Sequence, residues 1–237
     1  MNYMPKLLFK YLPLDTIEYL RRVADIIENY RIYWPTRSEL NDPMEGIYTR
    51  VLMGYAGNTF HGRLEQENPL LKERREKFRI LSLSESCFIP QLWAYYAGNY
   101  TGICLCYRGD YNFQKAEKVQ YKSCEGSPTC FAEEYTEEKI REDLLIKEEN
   151  WKHEREWRIV EKGIQSFYYY GPEDLVAVIL GWTEESEKDN PELEFKRKTI
   201  IKYLPENFPV YRVHMGRQSL GCVSKVTNRE NYASQRK

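Results

Sequence analysis

WKHEREWRIV, residues 151–160, can be read in two ways, and the choice decides the fold. On a helix, Glu154 and Arg158 form an i,i+4 pair worth only a few tenths of a kcal/mol. On a strand, Glu154, Glu156 and Arg158 share one face, and Arg155, Trp157 and Ile159 share the other. The strand accounts for more of the residues, because aromatic and β-branched side chains suit a pleated surface. A strand face carrying Glu, Glu and Arg must look into solvent or into a pocket. Carboxylates two residues apart on it lie about 6.6 Å from each other along the strand. When partly buried they perturb each other's titration, and Arg158 holds one of them ionised. The stretch therefore predicts a junction where a helix ends near Trp151 and a pocket-facing strand begins.

Working outward, EEYTEEKIREDLLIKEEN (133–150) reads as an amphipathic helix, capped by Thr136, with Ile140, Leu144 and Leu145 facing inward. Downstream, LVAVILG (175–181) is an almost continuous apolar run that fits a buried strand, and KTIIKYL (198–204) and VYRVHMG (210–216) read as two more. Upstream, ILSLSES (80–86) alternates cleanly, with Leu81 and Leu83 on one face and Ser82, Ser84 and Ser86 on the other. PQLWAYYAGNYTG gives a short helix leading into ICLCYR (103–108), a central strand, and KVQYK (118–122) is another strand candidate. LLFKY (7–11) opens the chain as a strand. A helix follows Pro13 with Ile17, Leu20, Val23 or Ala24, and Ile27 on one stripe, and RIYWP (31–35) is a second short strand. Asn41, Asp42 and Pro43 carry turn chemistry. Residues 61–79 read as a charged helical excursion that Pro69 interrupts or restarts. Strands and helices do not alternate regularly, so the expectation is α+β: a single domain over residues 1–224, with a mixed or mainly antiparallel sheet flanked by helices. Residues 225–237 read as a flexible C-terminal tail.

The chain has 237 residues, a formal net charge of -1 and 20 tyrosines. Near-neutral charge argues against holding nucleic acid mainly by phosphate neutralisation. The tyrosines suit strands and pocket walls. The start lacks a basic segment followed by an apolar core, and no apolar run approaches ~18 residues, so neither a signal peptide nor a membrane span is expected and the cytoplasm is the default. Six cysteines lack CxxC spacing and are read as reduced thiols. His61, His153 and His214 fall at none of the zinc offsets, so no metal is predicted.

Several stretches together resemble the bacterial domain-of-unknown-function family numbered 2971. They are FKYLP (9–13), IYWPTRSELNDPMEG (32–46), LSLSES (81–86), LWAYYAGNYTGICLCY (92–107), the series Lys147, Trp151, Glu154, Glu156, Trp157, Arg158, and VILG (178–181). Family members carry an N-D-P turn, a Ser-bearing strand, a Trp–Tyr–Gly segment and a Trp–Glu–x–Glu–aromatic–Arg segment. This chain departs in having Leu40 where a Phe before the Asn is common. A recurring pattern that is polar and aromatic implies a binding or catalytic pocket.

More remotely, the order of pieces looks like the ADP-ribosyltransferase fold, in which the sheet splits around a pocket and a late strand carries Glu-x-Glu. That resemblance implies an NAD-dependent ADP-ribosyltransferase or NAD glycohydrolase, with NAD as substrate and a nucleic acid or protein as acceptor, in a toxin or defence role. It implies Glu156 as the residue that holds a ribose hydroxyl and stabilises developing positive charge, and Glu154 as the group that orients the acceptor or takes its proton. Ser82 and Ser84 then line the ribose, and Lys10 or Tyr11 anchors the dinucleotide. Trp93 and Tyr96 stack on a ring or merely pack, and Asn41, Asp42 and Arg158 complete the candidate set. The usual first-strand Arg or His has no clear counterpart. A second reading is a non-catalytic module that binds a nucleotide, a nucleic-acid end or a protein, with Arg158, Lys10 and Lys147 meeting phosphate. A nuclease using Asp42 and Glu45 as metal ligands is a third, weaker one.

Overall fold

The computed structural model describes residues 4–226 except 43, 53, 56, 57, 60–68, 124, 126, 133 and 216–219. In chain order its elements begin with β1 (Leu7–Leu12), α1 (Ile17–Asn29), β2 (Arg31–Tyr33), β3 (Arg50–Leu52), β4 (Gly54–Tyr55), β5 (Asn58–Thr59), α2 (Pro69–Glu76), β6 (Phe78–Ser84), α3 (Pro90–Tyr96) and β7 (Ile103–Arg108). There follow β8 (Glu117–Lys118), β9 (Gln120–Lys122), β10 (Thr129–Phe131), α4 (Glu137–Asp143), β11 (Ile146–Glu148), β12 (Glu156–Lys162), β13 (Phe167–Tyr169) and β14 (Leu175–Leu180). The last are α5 (Glu184–Asp189), α6 (Pro191–Lys202), β15 (Val210–Met215) and β16 (Leu220–Lys225). The fold is α+β. Its main sheet has the order β16-β15-β14-β7-β1-β6-β12-β8, with every neighbouring pair antiparallel except β14 and β15.

One face of the sheet packs under α1 and α6. Thr16 caps α1 by accepting from the Tyr19 amide, and Leu20, Val23, Ile26 and Ile27 then face Leu8, Leu105, Val178 and Leu81. Ile17, expected on the same stripe, is exposed instead, because as the first residue of the helix it lies short of the sheet contact. The opposite face carries two separate covers. Leu92 and Trp93 of α3 pack on Phe9, Cys104, Cys106 and Ile179, so both thiols of CLC point to one side, as alternation requires. Ile140 and Leu144 pack on Phe78, Ile80 and Val160 at the other end. The strip of sheet between those covers carries Ser82, Ser84 and Glu156. Among the described residues no helix is long and apolar enough to cross a membrane.

Three expectations change. KTIIKYL is the end of α6, not a strand: Asn190 caps it and Pro191 starts it, and Leu193, Lys196 and Ile200 bury one stripe. Parallel strands need a crossover connection, and α5 with α6 supplies it between β14 and β15, overriding the local preference of Thr199, Ile200 and Ile201. The helix expected over 133–150 stops at Asp143, whose carboxylate turns inward to the Thr49 amide and hydroxyl and the Tyr135 hydroxyl. Residues 146–148 then pair with β9. KVQYK divides, because Lys118 belongs to β8 in the main sheet and residues 120–122 to the β9–β11 pair. At the C-terminus, pairing continues to Val226, whose amide donates to the Val210 carbonyl. Residues 227–237 of the expected tail, and 61–68 of the charged excursion, lie outside the described residues.

The exit of α3 passes very close to the sheet. A Cβ on Gly102 would sit 2.3 Å from the Leu12 carbonyl oxygen and 2.8 Å from that of Ala97, both of them backbone atoms. Gly102→Ala is therefore expected to cost about 2–3 kcal/mol in urea unfolding, as overpacking does. Gly163→Ala, with no atom within 4 Å of its Cβ, is expected to stay within about 0.5 kcal/mol of wild type.

Candidate functional site

β1 and β6 pair through a single register position, Phe9 with Ser84. β6 and β12, by contrast, pair over seven positions, from Glu156 with Ser84 to Lys162 with Phe78. Beyond Phe9 the two halves of the sheet separate, and side chains replace the backbone ladder across the gap. Lys10 Nζ donates to the Ser82 carbonyl at 3.0 Å, and Tyr11 Oη donates to the Ser86 carbonyl at 2.9 Å. The split opens a cavity of about 220 Å³. Its walls include Lys10 and Tyr11 from β1, Ser82 and Ser84 from β6, and Tyr96 from α3. Asn41 and Glu45 close one side, and Lys147, Glu154 and Glu156 another.

Two buried cations tie three buried carboxylates together beneath that cavity. Arg158 forks onto Glu156, Nε to Oε1 at 2.7 Å and Nη2 to Oε2 at 2.8 Å. It also reaches Glu45 Oε2 at 2.7 Å and donates Nη1 to the Leu144 carbonyl at 2.8 Å. Lys147 Nζ lies 2.9 Å from Glu45 Oε1, 2.6 Å from Glu154 Oε2 and 3.4 Å from Glu156 Oε2. The remaining oxygen of Glu154 accepts from Tyr96 Oη at 2.9 Å. Ser84 Oγ donates to the Glu154 carbonyl at 2.7 Å, and Tyr121 Oη accepts from the Glu156 amide at 2.7 Å. Bidentate, charge-assisted contacts of this kind fix orientation as well as charge.

The charges set the titration of the groups they surround. Burial raises the Glu156 carboxyl, but Arg158, Lys147 and a Ser82 hydrogen bond outweigh that and hold it down at about 2, so it is an anion. Glu45 is displaced the other way: burial raises it, Arg158 only partly offsets this, and the neighbouring Glu156 charge adds to the rise. Burial lowers Lys147, but the three glutamates overcome this and hold it firmly protonated. Burial and the Glu154 charge raise the Tyr96 hydroxyl, keeping it a donor. Lys10 is pushed down to about 8 by burial, with Glu156 opposing.

Of the residues singled out in the sequence, Glu154, Glu156, Lys10, Tyr11, Asn41, Ser82, Ser84 and Tyr96 converge on this cavity. Three do not line it. Arg158 is fully buried behind Glu156 (0% exposed) and is spent on carboxylates. Trp93 is also fully buried (0% exposed), donating Nε1 to the Cys87 carbonyl at 2.8 Å and packing edge-on against Tyr11. Asp42 turns back onto its own loop, accepting from the Met44 amide at 2.9 Å.

Glu154 reaches the site by another route than the expected strand. It ends a 3-10 helix over Glu149–Glu154, and Arg155 turns the chain through a left-handed φ of 47° before β12 begins at Glu156. A non-glycine residue in that region bends the chain sharply. Glu154 and Glu156 therefore share Lys147 rather than a strand face.

Glu45 and Lys147 were expected only under the alternative readings, as a metal ligand and as a phosphate-binding cation, and the structure instead joins both to the buried carboxylate cluster. Among the described residues no group of three or more His, Cys, Asp or Glu side chains is disposed to hold a metal ion.

Arg158→Ala strands Glu45 and Glu156 without their fork and is expected to cost about 3–5 kcal/mol in urea unfolding. Glu156 has a folded-state pKa below its ordinary 4.5, so the stability it contributes is complete above about pH 4.5. That contribution is lost as pH falls through about 2. The stability gap between wild type and Glu156→Gln should accordingly narrow across this window, by an amount on the order of 3 kcal/mol. A gap that stays constant in urea melts from pH 5 to pH 2.5 would contradict the assignment of the charge to Glu156.

Comparison of the chain with protein-family models, with curated proteins and with solved structures found no match, so the functional reading rests on the geometry of the split and its charges.

Proposed function

We propose that this chain belongs to the bacterial family numbered 2971 and acts as an ADP-ribosyltransferase-like enzyme that cleaves the nicotinamide–ribose bond of NAD. The observation that carries the reading is Glu156: an ionised carboxylate, 4% exposed, at the wall of a cavity in a split sheet. Breaking that bond sends the electron pair to the nicotinamide nitrogen and leaves positive charge on the ribose. A fixed anion already in place stabilises the charge as it develops, without reorganising at the moment of reaction. Glu154, held by Tyr96 and Lys147, is the group to orient an acceptor or receive its proton. Ser82 and Ser84 offer polar contacts for ribose hydroxyls.

The cavity of about 220 Å³ is smaller than the roughly 300–1,000 Å³ of sites that engulf a whole ligand. It suits the nicotinamide-ribose end of a dinucleotide, with the adenylate end outside. The competing reading, a module that binds phosphate through Arg158, Lys10 and Lys147, has less support. Arg158 and Lys147 are already neutralised by three carboxylates, and an incoming phosphate would meet Glu154 and Glu156.

The test is purified protein with NAD and cell extract. Nicotinamide release is followed by chromatography, and added mass on nucleic acid and protein by mass spectrometry. Glu156→Gln is expected to lower release about 100-fold or more, the scale on which preorganised electrostatic groups act. Tyr96→Phe should have a smaller effect, and thermal melts identify any variant that has lost its fold. If wild type and Glu156→Gln behave alike with every acceptor, the transferase reading falls.

A further inference from the structure

We infer that Lys10 is a nucleophilic amine, and that the cavity forms a covalent imine between Lys10 Nζ and the carbonyl carbon of a small aldehyde, such as the open-chain form of an aldose. Lysines that serve this way are desolvated, freed of carboxylate partners and aimed into a confined space. Lys10 meets each condition. Its side chain is half-buried at the point where β1 and β6 separate, and it lines the cavity. Its one hydrogen bond is to the uncharged Ser82 carbonyl, at 3.0 Å. Among the described residues no carboxylate stands within ion-pair distance of it, although Glu154 and Glu156 line the same space. Those two are occupied by Lys147 and Arg158 instead.

A neutral amine held in this way can donate one N–H to Ser82 and still present its lone pair to the cavity. The titratable groups that line the cavity with it are Tyr11, Glu39, Glu45, Tyr96, Lys147, Glu154 and Glu156. Burial outweighs the opposing Glu156 charge and brings Lys10 down to about 8 from an ordinary 10.5. At pH 7.5 it then carries roughly 200-fold more free amine than an exposed lysine.

The step balances without any oxidant or reductant. The nitrogen lone pair bonds to the aldehyde carbon, and the carbonyl oxygen receives the nitrogen's proton to give a carbinolamine. The carbinolamine hydroxyl then takes a proton from solvent and leaves as water, while the nitrogen lone pair closes a nitrogen–carbon double bond to give the protonated imine. The protonated imine is a cation, which the ionised Glu156 offsets. A cavity of about 220 Å³ has room for a sugar-sized aldehyde. The inference does not depend on glycosidic cleavage of NAD.

The test is full-length protein with glycolaldehyde and cyanoborohydride, which reduces an imine to a stable secondary amine, followed by peptide mapping. Lys10 is expected to be modified at least tenfold faster than the exposed Lys6 and Lys72 at pH 7.5. Its rate should rise with a midpoint near pH 8. Lys10→Met removes the peptide's label, and the Ser82 carbonyl loses only an uncharged partner, so a folded variant is expected. Should that variant unfold, the rate comparison within the wild-type chain still decides. Labelling of Lys10 at the rate of Lys6, or at a pH midpoint near 10, overturns the proposal. Because labelling needs no NAD, its failure and the failure of nicotinamide release are separate results.

Discussion

The split between β1 and β6 depends on a buried ionic arrangement that no ordinary sheet would tolerate. Arg158 sits on β12, Lys147 on β11, Glu154 at the end of a 3-10 helix and Glu45 on the loop after the N-D-P turn, and all are buried. Isolated charges at that depth cost several kcal/mol each, so each must be paired with good geometry. The pairing is complete only when all four segments arrive together. That requirement defines the position of Glu156, which is bonded from below by Arg158 and from beside by Lys147. Replacing the whole arrangement with apolar residues of similar volume would be neutral or favourable for stability. Its presence at a cavity wall is therefore better explained by what the cavity does than by what holds the chain together.

The split itself is maintained by side chains standing in for backbone. An antiparallel pair that meets at only one register position leaves carbonyls facing a gap, and a buried carbonyl without a donor is costly. Lys10 and Tyr11 supply the donors at Ser82 and Ser86. Trp93 supports this indirectly, packing edge-on against the Tyr11 ring. Its burial is thus part of the site's construction, although it touches no cavity. Gly181 allows the same packing, since a Cβ there would lie 2.8 Å from the Trp93 ring.

Legibility in the sequence followed the range of the interaction. Period-two alternation in ILSLSES and the apolar runs ICLCYR and LVAVILG name the central strands directly, because both patterns are local. The pairing of Glu156 and Arg158 was readable for the same reason, since residues two apart on a strand must share a face. Glu154 was placed at the right site by the wrong geometry. The left-handed turn at Arg155 is adopted by a residue type that gives no sign of it, unlike glycine or asparagine. Helix α6 was hidden for a different reason: its β-branched residues follow the local strand preference, while the parallel pairing of β14 and β15 demands a crossover. The shared ionic role of Glu45 and Lys147 was not legible, because residues 113 and 11 positions from Arg158 are brought into one cluster with it only by the fold. For Trp93 the structure chooses the packing reading that the sequence had left beside ring stacking, whereas the full burial of Arg158 was not legible.

Charge arithmetic connects the two chemistries assigned to the cavity. Glu45, Glu154 and Glu156 carry three negative charges when ionised, Arg158 and Lys147 carry two positive ones, and one negative charge remains in excess. Protonated Lys10 cancels it, and burial, which brings Lys10 down to about 8, makes that proton easier to lose. Burial raises Glu45 while Arg158 and Lys147 hold Glu156 down, so of these two Glu156 is the one that stays an anion to lower pH. A cavity with a fixed anion and a nearby amine that readily loses its proton has a standing preference for a cation formed inside it. The ribosyl cation of glycosidic cleavage and the protonated imine of an aldehyde adduct are both such species. In the first the positive charge moves from the nicotinamide nitrogen onto the ribose carbon, and in the second it appears on the imine nitrogen and carbon, so a preorganised carboxylate beside the reacting carbon stabilises the product of each step more than its reactant. What distinguishes them is the donor of electrons to the carbon, a departing nitrogen in one case and the arriving Lys10 nitrogen in the other.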